Sequence, residues 1–255
     1  MEKTKNSIDE LIKVMDKLLS PNGCPWDREQ THQSLTRYLI EESYEVVYAI
    51  KSKDMAMLKD ELGDLLLQVV FHAALAERAG QFDFADVADS IRTKMINRHP
   101  HVFGDLDLKT SYDVMDRWEG FKKEEGKKRL LEGIPPMLPG LLRAMKLQEK
   151  AARVGFDWPE VQGALEKFKE EIDEVAKANS ADEIREEIGD LLFALVNVAR
   201  IKGVDPEEAL QDCNDKFVRR FNYIEDKIKG QGKDFHDFNL AQLDIIWDEA
   251  KSRGL

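Results

Sequence analysis

The stretch "EESYEVVYAIKSKDMAMLKDELGDLLLQVVFHAAL", residues 41–75, decides the fold of the first half of the chain. Apolar residues recur at helical spacing on both sides of Lys51-Ser52-Lys53-Asp54, which predicts helices over 32–51 and 54–79 joined by a tight turn. Glu42 and Glu45 then sit on neighbouring turns of the first helix and project the same way, and Glu61 and Asp64 do the same on the second. A short turn makes the helices antiparallel, so the two acidic pairs face each other. Carboxylates that close repel, and burying them costs several kcal/mol per ion. A bound divalent cation cancels that cost. All-oxygen donors suit a hard cation, and Mg²⁺ fits best because it keeps waters and shares carboxylates with phosphate oxygens.

The same letters return downstream. "EEIDEVAKANSADEIREEIGDLLFALV", residues 170–196, repeats the first triplet as Glu170, Glu171 and Glu174 and the second pair as Glu187 and Asp190, with the connecting segment three residues shorter. A single Glu-x-x-Glu in a helical protein is usually a solvated face, and acids can also be kept for helix pairing. Here two pairs adjoin long apolar runs and recur as a set. Each half therefore reads as a four-carboxylate cage for one or two Mg²⁺ ions: Glu42, Glu45, Glu61 and Asp64, then Glu171, Glu174, Glu187 and Asp190.

Helical periodicity extends over nearly the whole chain, at 8–19, 83–98, 111–124, 138–152, 160–178, 181–201, 205–229 and 239–251 as well. Start signals include Ser7 and the Asp205-Pro206 pair. Strand-like alternation is absent. The linker candidate is "EEGKKRLLEGIPPMLPG", residues 124–140, so the expectation is two domains, 1–130 and 131–255. Two copies of roughly 100 residues imply a duplicated all-α, helical-bundle domain rather than a solenoid of shorter repeats.

At 255 residues, with 50 acids against 38 bases and a net charge of -12, the chain lacks the basic surface that binding a nucleic-acid polymer or an anionic membrane requires. No apolar run approaches the roughly twenty residues of a membrane span, and the N-terminal segment mixes acids with bases rather than forming a signal-peptide core. Cys24 and Cys213 form neither a disulfide framework nor a zinc motif, so a reduced, cytoplasmic setting is expected.

A negatively charged ligand must then be met by local bases. Sliding residues 83–99 under 205–221 aligns Lys94 with Lys216 and Arg98 with Arg220, each pair sharing a helical face. Arg219 adjoins Arg220 and can substitute for it. Trp118 and Lys122 match Trp247 and Lys251. Alone, such bases are ordinary surface residues and such tryptophans core anchors. Together they suit an oligophosphate and a nucleobase, which an indole stacks upon without regard to its identity. Glu29-x-x-His32 resembles a di-iron ligand pair but has no second copy. No Walker-type loop occurs.

This combination resembles the MazG nucleoside triphosphate pyrophosphohydrolases. "GCPWDREQTHQSLTRYLIEESYE" is similar to the opening of their first domain and "RVGFDWPEVQGALEKFKEEIDEV" to that of their second. The resemblance implies an all-α homodimer that cleaves ribo- and deoxynucleoside triphosphates of any base between the α- and β-phosphates, yielding NMP and pyrophosphate with Mg²⁺. It also implies a housecleaning or stress-related role. Glu171, Glu174, Glu187 and Asp190 match the family's metal ligands, and Lys216, Arg220 and Trp247 match its nucleotide contacts. Lys167 matches a phosphate-side base, for which Leu39 in the first half offers no equivalent, so the C-terminal domain is expected to be the main catalytic one. Glu170, and Glu41 in the first half, adjoin the ligands and are the candidate general bases. The alternatives are a dUTP-restricted pyrophosphatase, which a substrate panel separates, and a non-enzymatic helical interaction module, which would bind no Mg²⁺.

Overall fold

The structure, a computed structural model, describes residues 2–110, 113–114 and 129–255, with side chains from residue 7 onward. All but two residues of the predicted helix over 111–124, and with them Trp118 and Lys122, lie outside the described residues. Every regular element among the described residues is helical. The chain divides into two compact units, Met1–Glu124 and Glu125–Leu255.

In the first unit the helices are α1 (Glu2–Leu19), α2 (Pro25–Glu29), α3 (Thr36–Ser52), α4 (Met55–Arg78), α5 (Phe84–Arg98) and α6 (Pro100–Phe103). Helices α3 and α4 form the expected hairpin. Lys53 turns the chain in the left-handed region (φ 56°), and Asp54 caps α4 by accepting from the Ala56 and Met57 amides. Helix α1 packs against α4, and Met15, Leu19 and Leu35 close over Val70, Phe71 and Ala74. Met15, Leu19 and Leu35 are at most 2 % exposed, so burying each contributes on the order of 2 kcal/mol. Arg78 adds a hydrogen bond to the Leu19 carbonyl that ties the end of α4 to the end of α1.

The second unit holds α7 (Gly140–Ala152), α8 (Val161–Lys177), α9 (Ala181–Ile201), α10 (Pro206–Gly230), a 3₁₀ turn (Phe235–Asp237) and α11 (Leu240–Ser252). Helices α8 and α9 repeat the hairpin. Ser180 caps α9 in a reciprocal box with Glu183, and Asp205 caps α10 with Pro206 behind it. Gln148, buried on α7, donates to the Phe193 carbonyl and fixes α7 on α9. At the far end Ile224, Ile228 and Ile246 join α10 to α11.

Sequence and structure part company at a few ends. The helix expected from residue 32 begins at Thr36, because Thr31 and Ser34 exchange side-chain hydrogen bonds with each other's amides and hold a turn instead. Ser7 does not mark the helix start: α1 starts at Glu2 and Ser7 lies inside it. The three-residue difference between the hairpins also has a location. Helix α3 runs on to Ser52 beyond Glu45, about one turn further than α8 runs beyond Glu174 to Lys177, while its connecting turn is one residue shorter.

Candidate metal and nucleotide site

Helical geometry sets the acids on the facing sides of each hairpin. In the first unit, oxygens of Glu42, Glu45 and Glu61 lie within 4.8 Å of one another. Asp64 stands outside that triplet but near enough for its charge to act: burial first, then Asp64 and Glu45, push the Glu42 carboxyl above its ordinary range. Glu61 is raised likewise, by burial and then by Glu45 and Asp64. In the second unit the triplet is Glu171, Glu187 and Asp190, again within 4.8 Å, and Glu174 is the member set aside. Burial, then Glu174, Glu171 and Asp190, push the Glu187 carboxyl up. So each hairpin gathers three of its four expected ligands and feels the charge of the fourth.

Glu171 differs from the rest. It is 4 % exposed, and its Oε2 is buried with no hydrogen-bond partner. Its Oε1 lies 2.7 Å from Lys167 Nζ, which also reaches Glu170 Oε1 at 2.9 Å. Hydrogen bonding to Glu171 and then Glu170 drives the Lys167 ammonium well above its usual value. Aligning the doublets Glu41-Glu42 and Glu170-Glu171 puts Tyr38, not Leu39, opposite Lys167. The hydroxyl of Tyr38 accepts from Arg37, whose guanidinium lies over the Tyr38 ring at 4.4 Å. Glu41, the counterpart of Glu170, is exposed.

Lys94, Arg98, Lys216, Arg219 and Arg220 ride on helices packed against the acid-bearing ones, α5 on α4 and α10 on α9, while Trp247 and Lys251 ride on α11, which packs on α10. Lys94, Lys216 and Arg219 are exposed, and Arg98 and Arg220 half-buried. Arg220 donates to the Leu255 carbonyl at 2.7 Å and sets its guanidinium 5.4 Å from the Trp247 ring centroid. Phe217 flanks the same indole at 5.3 Å. Lys251 pairs with Asp248 at 3.0 Å. Behind this group, Tyr223 donates to Glu249 at 2.6 Å, Lys227 reaches its other oxygen at 2.5 Å, and Arg253 adds a third contact at 2.8 Å. Lys227, then Tyr223, hold the Glu249 carboxyl down at about 2. That knot clamps α11 to α10 and so sets Trp247 beside Arg220. Nothing in the spacing of these residues announces it.

The units carry two further features, of which the glycine before each Asp of the second acidic pair already recurs in the sequence and the histidine pair does not. His32 and His72 stack with near-parallel rings and share a 2.8 Å Nδ1–Nδ1 hydrogen bond. Burial, then His32, lowers the His72 pKa. The pair is 40 residues apart, and Val161 and Val198 fill the matching positions of the second unit, so no repeat signals it. Gly63 and Gly189 precede Asp64 and Asp190 inside α4 and α9, and a Cβ at either would meet nothing within 4 Å. A helix-interior glycine costs about 0.5–1 kcal/mol against alanine, so neither is explained by crowding within its unit.

Comparison with known proteins returns the same halves. The model of the MazG nucleotide pyrophosphohydrolase domain matches residues 30–103 and 160–224. The chain belongs to the MazG family. It is similar to the nucleoside triphosphate pyrophosphohydrolase/pyrophosphatase MazG of Thermotoga maritima, 46 % identical across 95 % of this chain and 95 % of that protein. It is also similar to the nucleoside triphosphate pyrophosphohydrolase of Escherichia coli K12, 44 % identical across 96 % of this chain and 97 % of that one. An uncharacterized Bacillus subtilis protein, YabN, is 48 % identical across 93 % of this chain, which spans 50 % of YabN. The MazG segments contain both acidic triplets and reach Lys94, Arg98, Lys216, Arg219 and Arg220, whereas Trp247 and Lys251 lie beyond them.

Proposed function

We propose that the chain hydrolyses nucleoside triphosphates between the α- and β-phosphates, releasing NMP and pyrophosphate, with Mg²⁺ as its metal. The observation that carries the metal is Glu171 Oε2, buried without a partner beside two other carboxylates. The donor set fits a hard cation: oxygens only, three within 4.8 Å, and carboxyls pushed up by burial and then by their neighbours' charge. Glu171, Glu187, Asp190 and Glu174 would hold it in the second unit, and Glu42, Glu45, Glu61 and Asp64 in the first. A divalent cation bound there neutralises phosphate charge and acidifies water.

The chain's own residues supply the rest. Glu170, adjoining the triplet, takes the proton from the attacking water; the new bond forms at the α-phosphorus and the bond to the β-phosphate breaks. Lys216, Arg220 and Lys251 meet the charge of the departing pyrophosphate. Trp247 stacks on the base without reading it, which supports a broad base range; turnover of both ribo- and deoxynucleotides is what the family resemblance implies. The second unit is the main catalytic one, supported by Lys167 and by the deeper burial of its glutamate. Homodimerisation is supported by apolar side chains that stay exposed on the acid-bearing helices, among them Leu62, Leu66 and Val69 on α4 and Ile188, Leu192 and Leu195 on α9. The test is product analysis of a mixed NTP and dNTP panel with Mg²⁺. NMP with pyrophosphate from every substrate is expected; turnover of dUTP alone would replace this reading with a dUTP-restricted enzyme, and NDP with orthophosphate would end it.

A further inference from the structure

The two acidic cages differ in how their negative charge is answered. Lys167 Nζ lies 2.7 Å from Glu171 Oε1 and 2.9 Å from Glu170 Oε1. The lysine side chain is 43 % exposed while that of Glu171 is 5 % exposed, so the carboxylate is fixed and the ammonium is the partner able to move. In the first unit Tyr38 takes the matching position and its hydroxyl is engaged by Arg37, so no ammonium stands there. An ammonium at hydrogen-bond distance and a divalent cation on one buried carboxylate repel each other strongly.

We propose that Lys167 is a displaceable counter-ion: it answers the charge of Glu171 before a cation binds, competes with the cation for that carboxylate, and turns toward the substrate's phosphates once the cation is seated. This rests on reading the cages as metal sites. Its consequence is selectivity. The second unit takes a free divalent ion weakly and a nucleotide-borne one well, because phosphate oxygens give the released ammonium a new partner. The first unit, with tyrosine at that position, makes no such distinction.

The test uses Mn²⁺ as probe, followed by electron paramagnetic resonance of the free ion. The protein is the full chain carrying Glu61→Gln to weaken the first cage. Without nucleotide, Lys167→Met is expected to bind Mn²⁺ roughly three- to tenfold more tightly than the Lys167 protein, a modest gain because the lysine is partly exposed. Lys167→Arg should stay near the parent, and a non-hydrolysable triphosphate should erase or reverse the gain. Lys167→Gln, with the same expectation, guards against a fault peculiar to methionine. Unchanged or weaker Mn²⁺ binding in both neutral variants overturns the proposal and leaves the metal site standing. Failure of the metal reading looks different: Mn²⁺ binding that Glu187→Gln does not reduce, an outcome that removes both.

Discussion

The two hairpins share their acids and one exposed apolar stripe, yet the outer face of their first helix differs. On α3 Ile40, Tyr44, Val47 and Tyr48 stand exposed; in register on α8 stand Lys169, Asp173, Ala176 and Lys177. On the second helix Leu62, Leu66 and Val69 of α4 keep their counterparts Ile188, Leu192 and Leu195 of α9. Helical periodicity makes this possible. Ligand positions and surface positions fall on different sides of one cylinder, so a duplicated element can hold its chemistry while its surface changes. The first hairpin is longer and more apolar. The second carries Lys167 and buries its central glutamate.

The sharpest way to break that comparison is to disarm each cage in turn. Glu187→Gln should lower NTP turnover by at least about a hundredfold with far-UV helicity unchanged, since the proposed metal site loses a carboxylate. Glu61→Gln should leave most of it. Equal losses would mean that the units share the chemistry evenly. Next in size, Leu19→Ala should destabilise the first unit by about 2–5 kcal/mol, since a residue 1 % exposed would leave a cavity. Chemical denaturation should then show the first unit's transition move alone.

Acid separates the units more gently. Glu249 titrates at about 2 in the folded chain against an ordinary 4.5, so its contribution to the second unit is present above 4.5 and is lost as pH falls toward 2. Glu249→Gln should flatten that loss in an acid melt of the second unit. His72 acts earlier and in the first unit. Its folded pKa lies below 6.5, so the unfolded chain binds the proton more readily, and stability present above 6.5 declines as pH drops below it. Replacing His32 and His72 with valine, the second unit's residues, should remove that decline from thermal melts and leave the second unit's profile unchanged. The smallest effect belongs to Gly189→Ala, which should raise the second unit's stability by up to about 1 kcal/mol in denaturant.

Most helices were legible because their apolar spacing is regular, and the start at Asp205-Pro206 carries its cap in the sequence, whereas Ser7 pointed to a start that lies five residues earlier. The clustering of the acids was legible because recurrence separates Glu42 or Glu171 from the many acids that face water. Which three carboxylates meet was not, since the exclusion of Asp64 in one hairpin and Glu174 in the other depends on rotamers and on how the helices cross. The turn at Thr31–Ser34 was hidden because side-chain hydrogen bonds there outcompete a pattern that still looks helical. The Lys167 counterpart was misplaced by one position, and only the aligned doublets bring Tyr38 into view. The His32–His72 pair and the Glu249 knot join distant residues, and neither recurs.

The bare spots at Gly63 and Gly189 have one more consequence. Each leaves a notch on a helix beside an acid of the cluster, and natural drift toward alanine there would have strengthened the fold. A substitution that firms the fold and still dulls turnover or assembly would mark that notch as a footprint, the imprint of a surface that comes close only while the protein is at work.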